Sequence, residues 1–126
     1  MKRIILEYKQ VDLILTRICH QLVEDHGDFN HTAILALQPK GILLGKAIVQ
    51  KLETLFGIHA TYGELDTTFH RDDFRRSDKL LIPNEVNIDF EIENKRIILV
   101  DDVLYTGRSI RAALDAVNDY GRPASI

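Results

Sequence analysis

The sequence contains one cysteine, Cys19, so no disulfide can close within the chain, and that usage fits a reducing compartment. It has no long uninterrupted apolar run of the kind that spans a bilayer, and its first residues, MKRIILEYKQ, lack the apolar centre of a signal peptide. An excess of charge is missing too. Sixteen basic against 19 acidic residues leave a formal net charge of -3, which gives no global attraction to nucleic acid or to a membrane surface. No internal repeat and no low-complexity tract is present. These absences point to a soluble, cytoplasmic protein with no membrane partner. The chain does have 126 residues that are 45% apolar, enough for one domain with a real core and not for two.

The apolar residues fall into a simple order. Val11, Ile14, Leu15, Ile18, Cys19, Leu22 and Val23 recur at the spacing of an amphipathic helix, which the Gly27-Asp28 and Asn30 region ends. Thr32 to Leu37 is a short apolar run stopped by Gln38-Pro39-Lys40-Gly41. A second helical pattern runs from Ile42 to Phe56 and closes at Gly57. Ile58 to Leu65 alternates as a strand does, residues 67–80 are mostly polar, and Glu85 to Ile92 reads as another extended piece. Ile97 to Val100 is a continuous apolar run of the type buried on both faces of a sheet. Ile110, Ala113, Leu114 and Val117 then mark a third helix, ending at Tyr120-Gly121. The order predicts an α/β fold with a mostly parallel sheet and flanking helices, in which ligands gather at the carboxyl ends of the strands.

Two strand ends carry the candidate chemistry: residues 38–41 and residues 101–109. Asp101 and Asp102 follow a buried strand. Adjacent carboxylates repel, and a chain tolerates them best where a cation or several hydroxyl groups neutralise them. Directly after them, Tyr105 to Ser109 supplies the hydroxyls of Thr106 and Ser109, a glycine at Gly107 and successive backbone N–H groups at a helix start. Such a turn receives anions. Carboxylates beside an anion-receiving turn fit a sugar phosphate, with the turn on the phosphate and the acids on ribose hydroxyls or a bound magnesium ion. The plainer alternative is a solvated strand end followed by an ordinary N-cap.

At these residues the sequence resembles the type I phosphoribosyltransferase family, marked by an apolar strand, two acids and a Thr-Gly turn. VDDVLYTGRS (Val100 to Ser109), with Gly121-Arg122-Pro123, is similar to the pyrimidine operon attenuator, PyrR-type, uracil phosphoribosyltransferases. Leu15 to His20, Gly63 to Asp66 and His70 to Phe74 agree as well, so the likeness runs from about Val11 over nearly the whole chain. Hypoxanthine-type enzymes usually carry Glu-Asp in place of Asp101-Asp102 and lack the Leu-Tyr pair.

The resemblance implies transfer of phosphoribose from 5-phosphoribosyl 1-diphosphate to uracil, giving UMP and diphosphate with magnesium. It also implies binding of a pyrimidine mRNA leader in response to uridine nucleotides, in a homo-oligomer. Carried onto this chain, Tyr105, Thr106, Gly107, Arg108 and Ser109 cradle the 5-phosphate. Asp101 and Asp102 face the ribose, with Asp102 also placing the metal. Gln38 to Gly41, with Lys40 and Gly41 foremost, form the diphosphate loop. Thr68 to Arg76 form a flexible flap in which Arg71 is the catalytic candidate. Thr16, Arg17 and His20 resemble an RNA-facing stretch, although composition offers no basic patch with interleaved aromatics.

The family has Thr-Arg-Gly where this chain has Pro39-Lys40-Gly41. Lysine meets a diphosphate oxygen without Arg's bidentate fork, and proline removes a backbone N–H. Family members continue past Gly121-Arg122-Pro123 with further strands. The expectation is therefore a single phosphoribosyltransferase domain over residues 1–126, truncated at its C-terminus, with the base-contacting part missing. The alternatives are an RNA-binding regulator that keeps the pocket as a UMP sensor, and a purine-type enzyme.

Overall fold

The computed structural model describes residues 3–67, 88–104 and 107–126. Helix α1 spans Tyr8–His26 and precedes strand β1, Thr32–Leu37. Helix α2, Ile42–Phe56, leads to β2, Thr61–Leu65; β3, Arg96–Val100, and α3, Arg108–Asn118, complete the order. Each boundary has a local cause. The first turn of α1 carries no apolar stripe and escapes a periodicity reading. It is closed by a capping box in which Glu7 N–H donates to Gln10 Oε1 at 2.9 Å. Helix α2 stops where Gly57 takes a left-handed φ of 65°. Its N–H bonds Glu53 O, and Ile58 N–H reaches back to Leu52 O. That cap occupies Ile58, so β2 begins at Thr61 and not at Ile58 as the alternation predicts.

The expected extended piece at Glu85 to Ile92 is not a strand where it is described. Residues 85–87 lie outside the described residues, and Ile88, Phe90 and Ile92 pack as irregular chain against the core. Their alternation satisfies a buried face, and among the described residues no strand pairs with them. The turn into β3 follows, with Lys95 N–H bonded to Ile92 O at 3.0 Å and Asn94 at φ 61°.

The three strands form a parallel sheet in the order β2-β1-β3. Central β1 is buried along all six residues, which explains its unbroken apolar run. On one face Ala33, Leu35 and Leu37 join Leu65, Ile92 and Ile97 with Ala113, Ala116 and Val117 of α3. On the other, Ile34 and Val100 meet Ile48 and Leu52 of α2, Cys19 of α1, and Phe29. The buried stripe of α3 is Ala112, Ala113, Ala116 and Val117, while Leu114 is 37% exposed. Small residues let this helix lie close on the sheet, and the larger leucine at the stripe's edge misleads a reading by size. Residues 124–125 run beside the start of β3: Ala124 N–H donates to Lys95 O and Ile97 N–H to Ser125 O. Among the described residues no helix is long and apolar enough to cross a membrane.

Candidate active site at the carboxyl ends of β1 and β3

The strand order locates the site. From β1 the chain crosses to α2 on one face, and from β3 it crosses to α3 on the other. The two chain crossings therefore part at the carboxyl ends of neighbouring strands, where an open α/β sheet usually takes its ligand. Residues 38–41 follow β1, and residues 101–104 follow β3 with α3 beginning at Arg108, so both lie within the two stretches that the sequence marks, 38–41 and 101–109.

The first loop is bound to the sheet by its backbone. Gln38 N–H donates to Leu65 O at 2.9 Å, and Gly41 N–H donates to Leu37 O at 2.8 Å. Pro39 and Lys40 are exposed, so the lysine ammonium is presented outward from an anchored loop. Gly41 is buried and precedes the first residue of α2. A methyl group there would lie 2.8 Å from Leu37 O, 2.9 Å from Leu37 N, and closer still to Val100 O.

The second loop begins with the acid pair. Asp101 is half-buried, and its Oδ1 accepts from the backbone N–H of Asp102 at 2.8 Å. Asp102 is exposed. The two neighbours thus lie in different settings, one carboxylate turned onto the chain and one facing outward. Gly107 takes φ 81°, a region that glycine enters without steric cost, and serves as N-cap of α3 with no side-chain cap. No N-cap side chain covers the first turn of α3, and the helix dipole favours an anion there. Arg108 is exposed and Ser109 half-buried in that first turn. Tyr105, Thr106 and Arg71 lie outside the described residues.

Among the described residues no group of three or more histidine, cysteine or acidic side chains could hold a metal ion. Two carboxylates at a rim make an incomplete cage. That donor set suits magnesium, which keeps several waters and is held by one or two carboxylates together with substrate phosphates.

The remaining predicted residues lie elsewhere, on α1. Thr16 donates to Asp12 O at 2.8 Å and accepts from Lys51 Nζ at 3.1 Å, while Lys51 pairs with Asp12 at 2.6 Å. That hydroxyl thus joins α1 to α2. Arg17 is exposed, and the exposed His20 sets its ring edge-on to Phe56, 4.9 Å between centroids. Close by, burial pushes the Cys19 thiol up, opposed by Lys51.

Sequence reasoning passed over a polar trio made by Tyr62 and Glu64 of β2 with Lys46 of α2. Tyr62 OH donates to Glu64 Oε2 at 2.9 Å, with Lys46 Nζ 4.0 Å from the same oxygen. Burial, then the hydrogen bond and charge of Glu64, raise Tyr62 far above the usual phenol range. The signal available was the Tyr-x-Glu alternation on a strand that leads to the same rim.

Comparison with known proteins agrees with this geometry. A family model described as phosphoribosyl transferase domain matches residues 3–124. The Bifunctional protein PyrR of a Picosynechococcus strain is 43% identical over 122 residues, covering 97% of this chain and 68% of that protein. The proteins of the same name from Geobacter sulfurreducens and Bacillus subtilis are 42% and 38% identical, each spanned to 70% of its length. Among solved structures, a hypoxanthine phosphoribosyltransferase from Staphylococcus aureus superposes with a TM-score of 0.69 at 14% identity, over 100% of this chain and 67% of that one. A purine phosphoribosyltransferase from Pyrococcus horikoshii gives 0.60 at 21% identity, over 96% of this chain and 71% of that one. At such identities these two structures speak for the fold alone. With the fold, the rim and the relatives in agreement, the chain belongs to the PyrR-type branch of the phosphoribosyltransferase family.

Proposed function

We propose that the rim at β1 and β3 transfers phosphoribose from 5-phosphoribosyl 1-diphosphate to uracil, forming UMP and diphosphate, in a cytoplasmic homo-oligomer that also regulates pyrimidine operons through RNA. The observation that carries the reading is the acid pair standing between the anchored 38–41 loop and the start of α3. Breaking the ribose–diphosphate bond builds positive charge at the anomeric carbon, as in glycoside chemistry. No protein nucleophile is needed. The work is to hold both reactants in line and to stabilise the departing charge.

The start of α3, from Gly107 to Ser109, with Tyr105 and Thr106 before it, takes the 5-phosphate. Lys40 meets the diphosphate from its exposed position. Asp101 and Asp102 hold the ribose hydroxyls, and Asp102, the outward carboxylate, holds magnesium. When bound, magnesium supplies charge neutralisation on the leaving diphosphate. Arg71 remains a candidate from its sequence match. For RNA, Arg17 and His20 are the accessible members of the α1 stretch, and Thr16 holds the helix that displays them.

The test is UMP formation from uracil with magnesium, beside guanine and hypoxanthine as competing bases, in the wild-type protein and in Asp101→Asn/Asp102→Asn. Uracil turnover that falls roughly a hundredfold or more in the variant is expected. Turnover with a purine base in place of uracil would overturn the substrate assignment. UMP binding without turnover would make the pocket a regulatory sensor, and a gel shift of leader RNA with and without UMP then tests that role.

A further inference from the structure

The loop 38–41 touches the ends of all three strands. Gln38 N–H holds it to the last residue of β2, and Gly41 N–H holds it to the last residue of β1. The third contact involves no hydrogen bond. The Cα of Gly41 lies against the carbonyl of Val100, the last residue of β3 and the peptide that leads into Asp101. We propose that Gly41 is a positioning residue whose missing side chain sets the distance between the diphosphate loop and the acid pair; this rests on the site assignment above.

Space makes the glycine necessary, and backbone conformation does not. Gly41 has φ -78° and ψ -12°, which any residue adopts. The three nearest atoms a side chain would meet are all backbone atoms of β1 and β3, and the two strands are paired with each other. None of them can rotate aside as the end of a side chain could. Gly27, Gly57 and Gly107 differ: their φ values are positive and nothing lies within 4 Å of the missing methyl. Gly45 is crowded too, but by the side chains of Ala36 and Tyr62, one turn along α2, and not by the carbonyl of Val100. A methyl at position 41 therefore fits only if the loop moves off the ends of both β1 and β3, which shifts it relative to the peptide that leads into Asp101. The donor is held between Lys40 and the acids, and a displacement of about 1 Å between reacting groups costs on the order of a hundredfold.

The test compares Gly41→Ala with Gly45→Ala and wild type, using 5-phosphoribosyl 1-diphosphate and inorganic diphosphate as separate probes with magnesium. Gly41→Ala is expected to weaken the donor by roughly ten- to a hundredfold. Its affinity for inorganic diphosphate, which meets the loop but does not have to reach the ribose side, should fall less than its affinity for the donor, and its KM for the base should stay within about threefold. Gly45→Ala should lower the melting temperature while keeping donor affinity within about threefold, which separates crowding in general from crowding at the strand end. Titration at 10 °C in an osmolyte keeps both variants folded. An independent reading comes from native-state hydrogen exchange on wild type, where segments 38–42 and 99–102 should open with one shared free energy. Donor affinity unchanged in folded Gly41→Ala, or separate opening of the two segments, would overturn the proposal. Failure of the wild-type protein to bind the donor at all would instead remove the site assignment, and the proposal with it.

Discussion

The two ends of the sheet are built differently. At the amino end, polar groups close on one another. Arg96 Nη1 donates to Asp25 O at 2.8 Å, His26 Nδ1 lies 3.0 Å from the buried hydroxyl of Thr32, and Arg122 N–H donates to Glu93 Oε2 at 2.9 Å. Asn94 N–H adds a bond to Arg122 O. At the carboxyl end the backbone is anchored by loop-to-strand contacts, while Lys40, Asp102 and Arg108 are exposed. One end spends its hydrogen-bonding capacity on joining elements, and the other directs charge outward from a fixed frame. The difference teaches where stability and function separate in this chain. Substitutions at the amino end should act on folding, and those at the carboxyl end on ligands.

The sharpest separation is expected from the acid pair. Asp101→Asn/Asp102→Asn should lower transfer roughly a hundredfold or more, yet keep unfolding free energy within about 1 kcal/mol of wild type, because an amide oxygen at position 101 can still accept the backbone N–H of residue 102. Urea melts beside turnover check this, and a collapse in stability would break the contrast. A smaller effect of opposite kind is expected from Arg96→Met at the amino end. Losing the bond to the α1 carbonyl should cost about 1 kcal/mol by denaturant melt, with kcat and donor KM of the folded protein unchanged.

The smallest effect concerns pH. Burial, then the nearby Arg96 charge, lower the His26 pKa, against an opposing pull from Asp25. The folded chain therefore holds fewer protons on this group than the unfolded chain does. Stability is retained above the ordinary histidine pKa of about 6.5 and declines as pH falls through it towards the lower folded value. His26→Gln should flatten the fall in melting temperature between pH 7.5 and 5.5, and an identical slope in both proteins would contradict the assignment.

Much of this was legible along the chain. The runs at 32–37 and 97–100 are unbroken because both strands are covered on two faces, and Gly57 punctuates α2 through a local cap. The acids and the Gly107 turn lie within nine residues of each other, so their shared chemistry could be read without a fold. What escaped needs partners distant in sequence. Ile88, Phe90 and Ile92 alternate like a strand, but alternation reports burial and not pairing. The tie of Thr16 to Lys51 joins residues 35 apart. Gly41 reads as a loop glycine until Val100, far along the chain, is seen against it. The sequence marks both loops by their residue types, and the distance between them is set only when the sheet forms.

The most direct test of the central claim, that the rim at β1 and β3 holds the phosphoribosyl donor, is calorimetric titration of the wild-type protein and Asp101→Asn/Asp102→Asn with 5-phosphoribosyl 1-diphosphate, with and without magnesium. Saturable, magnesium-dependent binding that is lost in the double variant is the predicted result; donor binding of equal strength in the two proteins would contradict it.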